Sequence, residues 1–313
     1  MDKAPRRGGL SRSAELATLM MPAAALLLVV AAPRVRVEPL AAAPLATVAR
    51  YGVHPTPHTP HPVLRVCADP NNLPFSDSLG GGFENRIAEL VAREMGARVE
   101  YTWWAQRRGF WRNTVKAGRC DVVVGLPTGY GPALTTRPYY RSTYVFVTRR
   151  AAPAVRSFDD PALRTARVGV HLVGDDYANT PPVDALARRG IVNNVRGYMI
   201  YGDYRTPAPP SQLVRAVARG DVDVAVAWGP MAGYFARRQR VPLRLVPVSP
   251  ASDGPAVPLT FDIAMGVRRD HAALRDTLDA ILGRRRAEVA RILDAYGVPR
   301  VDMSSTRVTA DVR

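Results

Sequence analysis

From Val63 onward, apolar and polar positions fall into short repeating blocks. "VLRVCA" is a compact apolar run that predicts a strand, and it ends in the turn-rich "DPNNLPFSDSLGGG". "FENRIAELVAREMG" spaces Phe83, Ile87, Leu90 and Val91 along one helical face and stops at Gly96. "RVEYTWW" reads as a strand. "GFWRNTVKAGRC" predicts a helix with Trp111 and Val115 one turn apart, closed at Gly118, and "DVVVGL" predicts a further buried strand.

The same order then begins again. "ARVGVHLV" is a strand, "VDALARRG" a short helix, "NVRGYMIYG" a strand, "PSQLVRAVARG" a helix and "DVDVAVAWG" a strand. "VKAGRCDVVVG" and "VARGDVDVAVA" are alike: a helix closed by glycine, an aspartate, then a valine-rich strand. Strands alternating with helices of this length imply parallel sheets with right-handed crossovers, here in two similar α/β lobes. A proline-rich stretch from Pro242 to Pro258 leads into "FDIAMGVRR" and two helices around 274–282 and 287–296. The expected division is residues 63–149 plus 245–300 for the first lobe, 150–244 for the second, and a loose tail over 301–313.

The first fifty residues do not follow this pattern. Arg6, Arg7 and Arg12 precede the apolar run "LMMPAAALLLVVAA", which has the order and length of a signal peptide and is short for a membrane span. Residues 1–50 are therefore expected to direct export to the periplasm, leaving no membrane attachment after cleavage. Residues 51–62 include "HPTPHTPHP", an extended linker because proline lacks the amide proton that strands and helices need.

Composition adds a charge argument. The 313-residue chain carries a formal net charge of +16, almost all from arginine, since Lys3 and Lys116 are its lysines. Such an excess favours encounter with acidic surfaces. It is spread along the chain without a basic block or nucleic-acid motif, so nucleic acid is not an expected partner. Aromatic residues make up 7% of the chain, yet Trp103, Trp104, Phe110 and Trp111 crowd into one stretch with Arg107, Arg108 and Arg112. Export places Cys67 and Cys120 in an oxidising compartment, each at or beside a predicted strand. They form one disulfide if those strands are neighbours, and two buried thiols otherwise.

"DPNNLPF", "GFENRIAELVAREMG", "AGRCDVVVG", "TTRPYYRSTYVFV" and "ARGDVDVAVAWGP" follow the order of bacterial periplasmic solute-binding proteins of the amino-acid type. That resemblance runs from Val63 to about Arg300. It implies a two-lobed type II periplasmic-binding-protein fold, each lobe a mainly parallel sheet flanked by helices, with a cleft between the lobes. Within this family, "YTWWAQRRGFWRNT", "HLVGDDYANTPPVDALARRGI", "NVRGYMIYGDYR" and "AWGPMAGYF" resemble the periplasmic proteins associated with quinoprotein methanol dehydrogenases. This narrower likeness implies a non-catalytic accessory protein that assists maturation or activation of the dehydrogenase. The partners it implies are the dehydrogenase, which carries pyrroloquinoline quinone (PQQ) with calcium or a lanthanide, and its cytochrome c. The chain itself is expected to hold no cofactor and no metal. The alternative is a solute receptor of an ABC-type transporter whose ligand is not an amino acid.

That alternative follows from three departures. Where amino-acid binders carry the arginine that clamps the substrate carboxylate, eight residues before Pro138, this chain has Tyr130. Where they carry the acid for the amino group, five residues after Asp223, it has Trp228. The approach to the second-lobe helix contains Asp175 and Asp176, which repel an anion. Aromatic residues stand instead beyond the carboxyl ends of the strands, where ligands of open α/β sheets bind. The candidate cleft or partner-binding residues are thus Phe75, Trp103, Trp104, Tyr130, Tyr139 and Trp228, with Asp175 and Asp176. No nucleophile stands at a defined spacing from His171, and "GLPTGYGP" lacks the lysine of a phosphate loop, so catalysis is not expected.

Overall fold

The computed structural model describes residues 62–173, 179–201, 204–255 and 257–302. The expected export segment, the linker histidines, Asp175, Asp176 and nearly all of the tail lie outside the described residues.

The first α/β unit follows the apolar pattern. Strand β1 (Val63–Ala68) leads to a short hairpin of β2 (Asn71–Asn72) and β3 (Ser76–Asp77), then helix α1 (Phe83–Glu94) and strand β4 (Arg98–Trp103). Helix α2 (Phe110–Asn113), β5 (Val122–Pro127), β6 (Leu134–Thr135) and the long β7 (Tyr140–Arg149) complete it. Phe83, Ile87 and Val91 are fully buried on one face of α1, each burial stabilising by roughly 1.5–3 kcal/mol. Helix α2 is much shorter than its sequence predicts. The Thr114 hydroxyl donates to the Phe110 carbonyl at 2.5 Å, and the following amide bonds run in turns, Lys116 to Trp111 and Gly118 to Val115. A β-branched residue whose side chain takes a helical acceptor ends the helix there.

The second unit comprises β8 (Val168–Leu172), α3 (Pro181–Ala187), β9 (Val195–Met199), α4 (Ser211–Arg219), β10 (Val224–Trp228), α5 (Gly229–Ala236) and β11 (Leu243–Pro247). Gly220 closes α4 in the left-handed region, at φ 83°, as a helix ending in glycine requires. Strand β12 (Thr260–Val267) returns to the first unit, followed by α6 (Ala272–Arg284) and α7 (Arg286–Ala295).

The strand order β4-β1-β5-β12-β7-β10-β8-β9 shows how the units join. Pairings β1–β4, β1–β5, β8–β9 and β8–β10 are parallel, as the alternating pattern predicts; those of β7 and β12 are antiparallel. Strand β7 serves both sheets: Tyr140–Thr143 pair with β12, and Tyr144–Thr148 pair with β10. Arg141 and Asp262 lock the first pairing through two hydrogen bonds of 2.6 and 2.7 Å. The sheets therefore change at 143/144 and, on the return, just before Thr260. Residues 144–149 and 245–259, expected in the first lobe, belong with the second. Val145, Phe146, Val147, Val248, Val257 and Leu259 are buried in its cores, and β11 pairs antiparallel with β7. An uninterrupted ten-residue strand carries no mark of that hand-over, and the prolines around β11 conceal it.

The repeat seen in the sequence has a structural counterpart. Asp121 accepts from the Arg65 guanidinium, and Asp223 from that of Arg167, each pair 56 residues apart. In both, the aspartate amide also donates to the arginine carbonyl. Each pair ties the start of a valine-rich strand to its parallel neighbour. Cys67 and Cys120 are both buried and form a disulfide across neighbouring strands, with Cα atoms 5.6 Å apart.

Candidate functional site

The cleft is built around the start of α1. The Phe83 and Glu84 amides donate to the Pro74 and Phe75 carbonyls at 2.8 and 2.9 Å, so the hairpin loop caps the helix. Only glycine fits at residue 82, where a Cβ would lie 2.0 Å from the Phe75 carbonyl oxygen. This close approach sets the Phe75 ring and the Glu84 carboxyl side by side. On the facing strand, Gly125 supplies the space for that carboxyl, since a Cβ there would lie 1.9 Å from Glu84 Oε1.

Glu84 and Phe75 line a cavity of about 270 Å³ shared by both lobes. The first unit also contributes Tyr140 and Ile263, the second His171, Ile200, Tyr201 and Met231, and Tyr144, Trp228 and Phe261 stand at the junction. Trp228 packs edge-on against Tyr144 at 5.3 Å and against Phe261 at 5.7 Å, a continuous aromatic wall. Among the described residues, no arginine or lysine lines the cavity. Glu84 is only 8% exposed, and neither a hydrogen bond nor an ion pair reaches its carboxyl among the described residues. Desolvation pushes its pKa up to about 8. Burial pushes the His171 imidazole down to about 4; its Nε2 lies 3.2 Å from the Pro210 carbonyl oxygen, and its Nδ1 has no partner among the described residues.

The mouth is held by two side chains of the first unit. Asn71 donates to the Thr206 carbonyl and accepts from the Ala208 amide, both at 2.9 Å, linking β2 to the second unit. Buried Asp69 accepts from the Asn71 and Gln106 amides at 2.8 Å, fixing the loop after β4. Beyond Gln106, Pro127 and Tyr201 the cavity opens into a wider groove of about 1150 Å³. Phe110, Trp111 and Tyr130 form its apolar lining, with Arg107, Arg108, Arg112, Lys116, Arg268 and Arg269 around them. Among the described residues its one acid is Asp270, which is bound by the Arg268 guanidinium.

The structure separates the sequence candidates. Phe75 and Trp228 line the cavity, and Tyr130 lies in the groove with its ring against Trp111 at 5.7 Å. Tyr139 faces elsewhere: its hydroxyl donates to the Val124 carbonyl at 2.9 Å and its ring borders a depression beside α6. Trp103 stacks on Tyr101 at 4.5 Å, and Trp104 packs on the disulfide cluster with Arg119 above its ring. Neither tryptophan lines the cavity or the groove, because β4 is the outer edge of the sheet, away from the junction.

Sequence reasoning missed Glu84, Tyr140, Tyr144, His171, Tyr201 and Phe261. For Glu84 a signal existed. Residues 84, 87, 88 and 91 share one helical arc, and an acid on an arc that is otherwise apolar marks a buried charge. Among the described residues, no group of three or more His, Cys, Asp or Glu is placed to hold a metal ion, and no helix is long and apolar enough to cross a membrane.

No family model matches the chain. A curated relative, Protein MoxJ of Methylorubrum extorquens, is 36% identical over 254 residues, covering 77% of this chain and 83% of the relative. The crystal structure of the periplasmic binding protein XoxJ from Methylobacterium extorquens AM1 is 34% identical, with a TM-score of 0.63 over 76% of this chain and 99% of XoxJ. That of MxaJ from Methlophaga aminisulfidivorans is 25% identical, with a TM-score of 0.67 over 76% of this chain and all of MxaJ.

Proposed function

The chain belongs to the MoxJ family of solute-binding-protein-like accessory proteins of methanol dehydrogenase, and on that premise we propose that it works in the periplasm by gripping a segment of the dehydrogenase. The grip serves maturation or activation of that enzyme, and the chain contributes no catalytic group to it. The observation that carries this reading is the lining of the outer groove. Among the described residues, six cationic side chains stand there with a single carboxylate, Asp270, which is paired with Arg268, around the rings of Phe110, Trp111 and Tyr130. Rigid aromatic anchors ringed by like charge suit an acidic protein segment better than a small solute.

By their place in the sequence, Tyr130 and Trp228 replace the carboxylate clamp and the amine acceptor of amino-acid binders, and among the described residues no arginine or lysine lines the inner cavity. The test is capture of the dehydrogenase from a periplasmic extract on immobilised protein. Retention that weakens in 0.5 M salt, in an Arg108→Glu/Arg112→Glu variant and in Trp228→Ala supports the reading. A dehydrogenase that passes through unretained, with a stoichiometric small molecule found in the cavity by native mass spectrometry, replaces it with the solute-receptor reading.

A further inference from the structure

We infer that the inner cavity is a cage for an alkylammonium group, with the Glu84 carboxylate as its counter-ion and the rings of Tyr140, Tyr144, Trp228 and Phe261 as its walls. Three observations carry this. The cavity buries a carboxyl that no donor or cation of the described chain satisfies, although a buried acid left alone costs several kcal/mol. The backbone has made room for that carboxyl, since Gly125 stands where any Cβ would displace it. Phe75, Tyr140, Tyr144, Tyr201, Trp228 and Phe261 supply much of the remaining lining, among aliphatic and neutral polar residues, and ring faces attract a desolvated cation. Glu84 also lies in the first turn of α1, where the helix dipole favours the charged carboxylate once a cation neutralises the site. An anionic occupant would meet Glu84 with no positive side chain to oppose it.

An alkylammonium group can come from a free amine or from a lysine side chain on an inserted protein segment. The outer groove favours the lysine. Its cationic lining repels a free amine, whereas an acidic segment seated in it would deliver its lysine past Gln106 and Tyr201 into the cavity. In this second form the inference rests on the partner reading above; the cage itself does not.

Calorimetric titration of the intact protein tests both. n-Butylammonium is compared with butan-1-ol, its neutral counterpart, at pH 6, 7.5 and 9, in wild type and Glu84→Gln. Binding of the cation requires the carboxyl to lose its proton, so affinity is expected to rise roughly tenfold per pH unit up to about pH 8 and then level. The other groups near Glu84 do not titrate in that range: Tyr101, Tyr139, Tyr140, Tyr144 and Tyr201 are pushed upward by burial, and His171 is neutral above about pH 4. Glu84→Gln is expected to weaken n-butylammonium at least tenfold at pH 9 and to flatten its pH profile. Equal binding of the alcohol by wild type, or a cation affinity independent of pH, overturns the cage whether or not the variant folds. An acidic peptide with one lysine, run beside its acetyl-lysine form, identifies the source. Tighter binding of the lysine peptide than of n-butylammonium, lost on acetylation, assigns a protein side chain; the reverse order assigns a free amine and overturns the lysine form. Loss of dehydrogenase capture with amine binding intact removes the partner reading and leaves the cage standing.

Discussion

Replacing Glu84 by glutamine should stabilise the empty protein at high pH and do almost nothing at low pH. The carboxyl titrates near 4.5 when solvated and is pushed up to about 8 in the folded protein. Between those values the folded state binds a proton that the unfolded state has released, so wild-type stability falls as pH rises through that interval. Each tenfold difference in proton affinity is worth about 1.4 kcal/mol. The loss grows to about 3 kcal/mol at pH 7 and about 4–5 kcal/mol at pH 8.5, where most of the carboxyl is ionised. Glutamine keeps the shape and stays neutral, so its stability lacks this decline. Urea unfolding of both proteins at pH 4.5, 7 and 8.5 measures the difference directly. The expected gap is near zero at pH 4.5 and widens with pH in favour of the variant. A gap that stays under about 1 kcal/mol at pH 8.5, or that narrows as pH rises, would refute the assignment of Glu84 as a buried carboxyl without a partner.

Replacing Cys67 and Cys120 together by serine opens a chain closure spanning 53 residues and should cost about 4 kcal/mol on loop entropy; a mid-point in guanidinium unchanged from oxidised wild type would contradict it. Asn71→Ala removes two hydrogen bonds between the units, a loss of about 2 kcal/mol at the mouth. The Ala208 amide should then exchange with deuterium faster while the amides of β10 keep their protection. Equal protection at Ala208 in both proteins would show that Asn71 does not hold the mouth.

Much of this architecture was legible because burial enforces pattern. The valine-rich runs became the central strands β5 and β10, and the glycine-stopped helices became α1 and α4. Even the paired units "GRCDVVVG" and "RGDVDVAVA" carried the aspartates that bind Arg65 and Arg167. What the pattern could not carry was pairing. A strand's apolar run looks the same whether it serves one sheet or two, so the hand-over within β7 was invisible, and so was the edge position of β4 that removes Trp103 and Trp104 from the cleft. The aromatic cavity was half legible, through Phe75 and Trp228 at strand ends. Tyr140 and Tyr144 enter it from β7 and Phe261 from the start of β12, a consequence of antiparallel register that only the fold reveals. The disulfide lay between these cases. The chain places both cysteines beside strands, and only the adjacency of β1 and β5 decides that they meet.

The proposed role is a grip on a dehydrogenase segment in the outer groove. Its most direct test is surface plasmon resonance of purified apo-methanol dehydrogenase over the immobilised protein, wild type beside Arg108→Glu/Arg112→Glu. Saturable binding that weakens with salt and falls at least tenfold in the double variant is expected, because reversing two charges opposes an acidic segment. Saturable binding of equal strength to both proteins, or none to either, would contradict it.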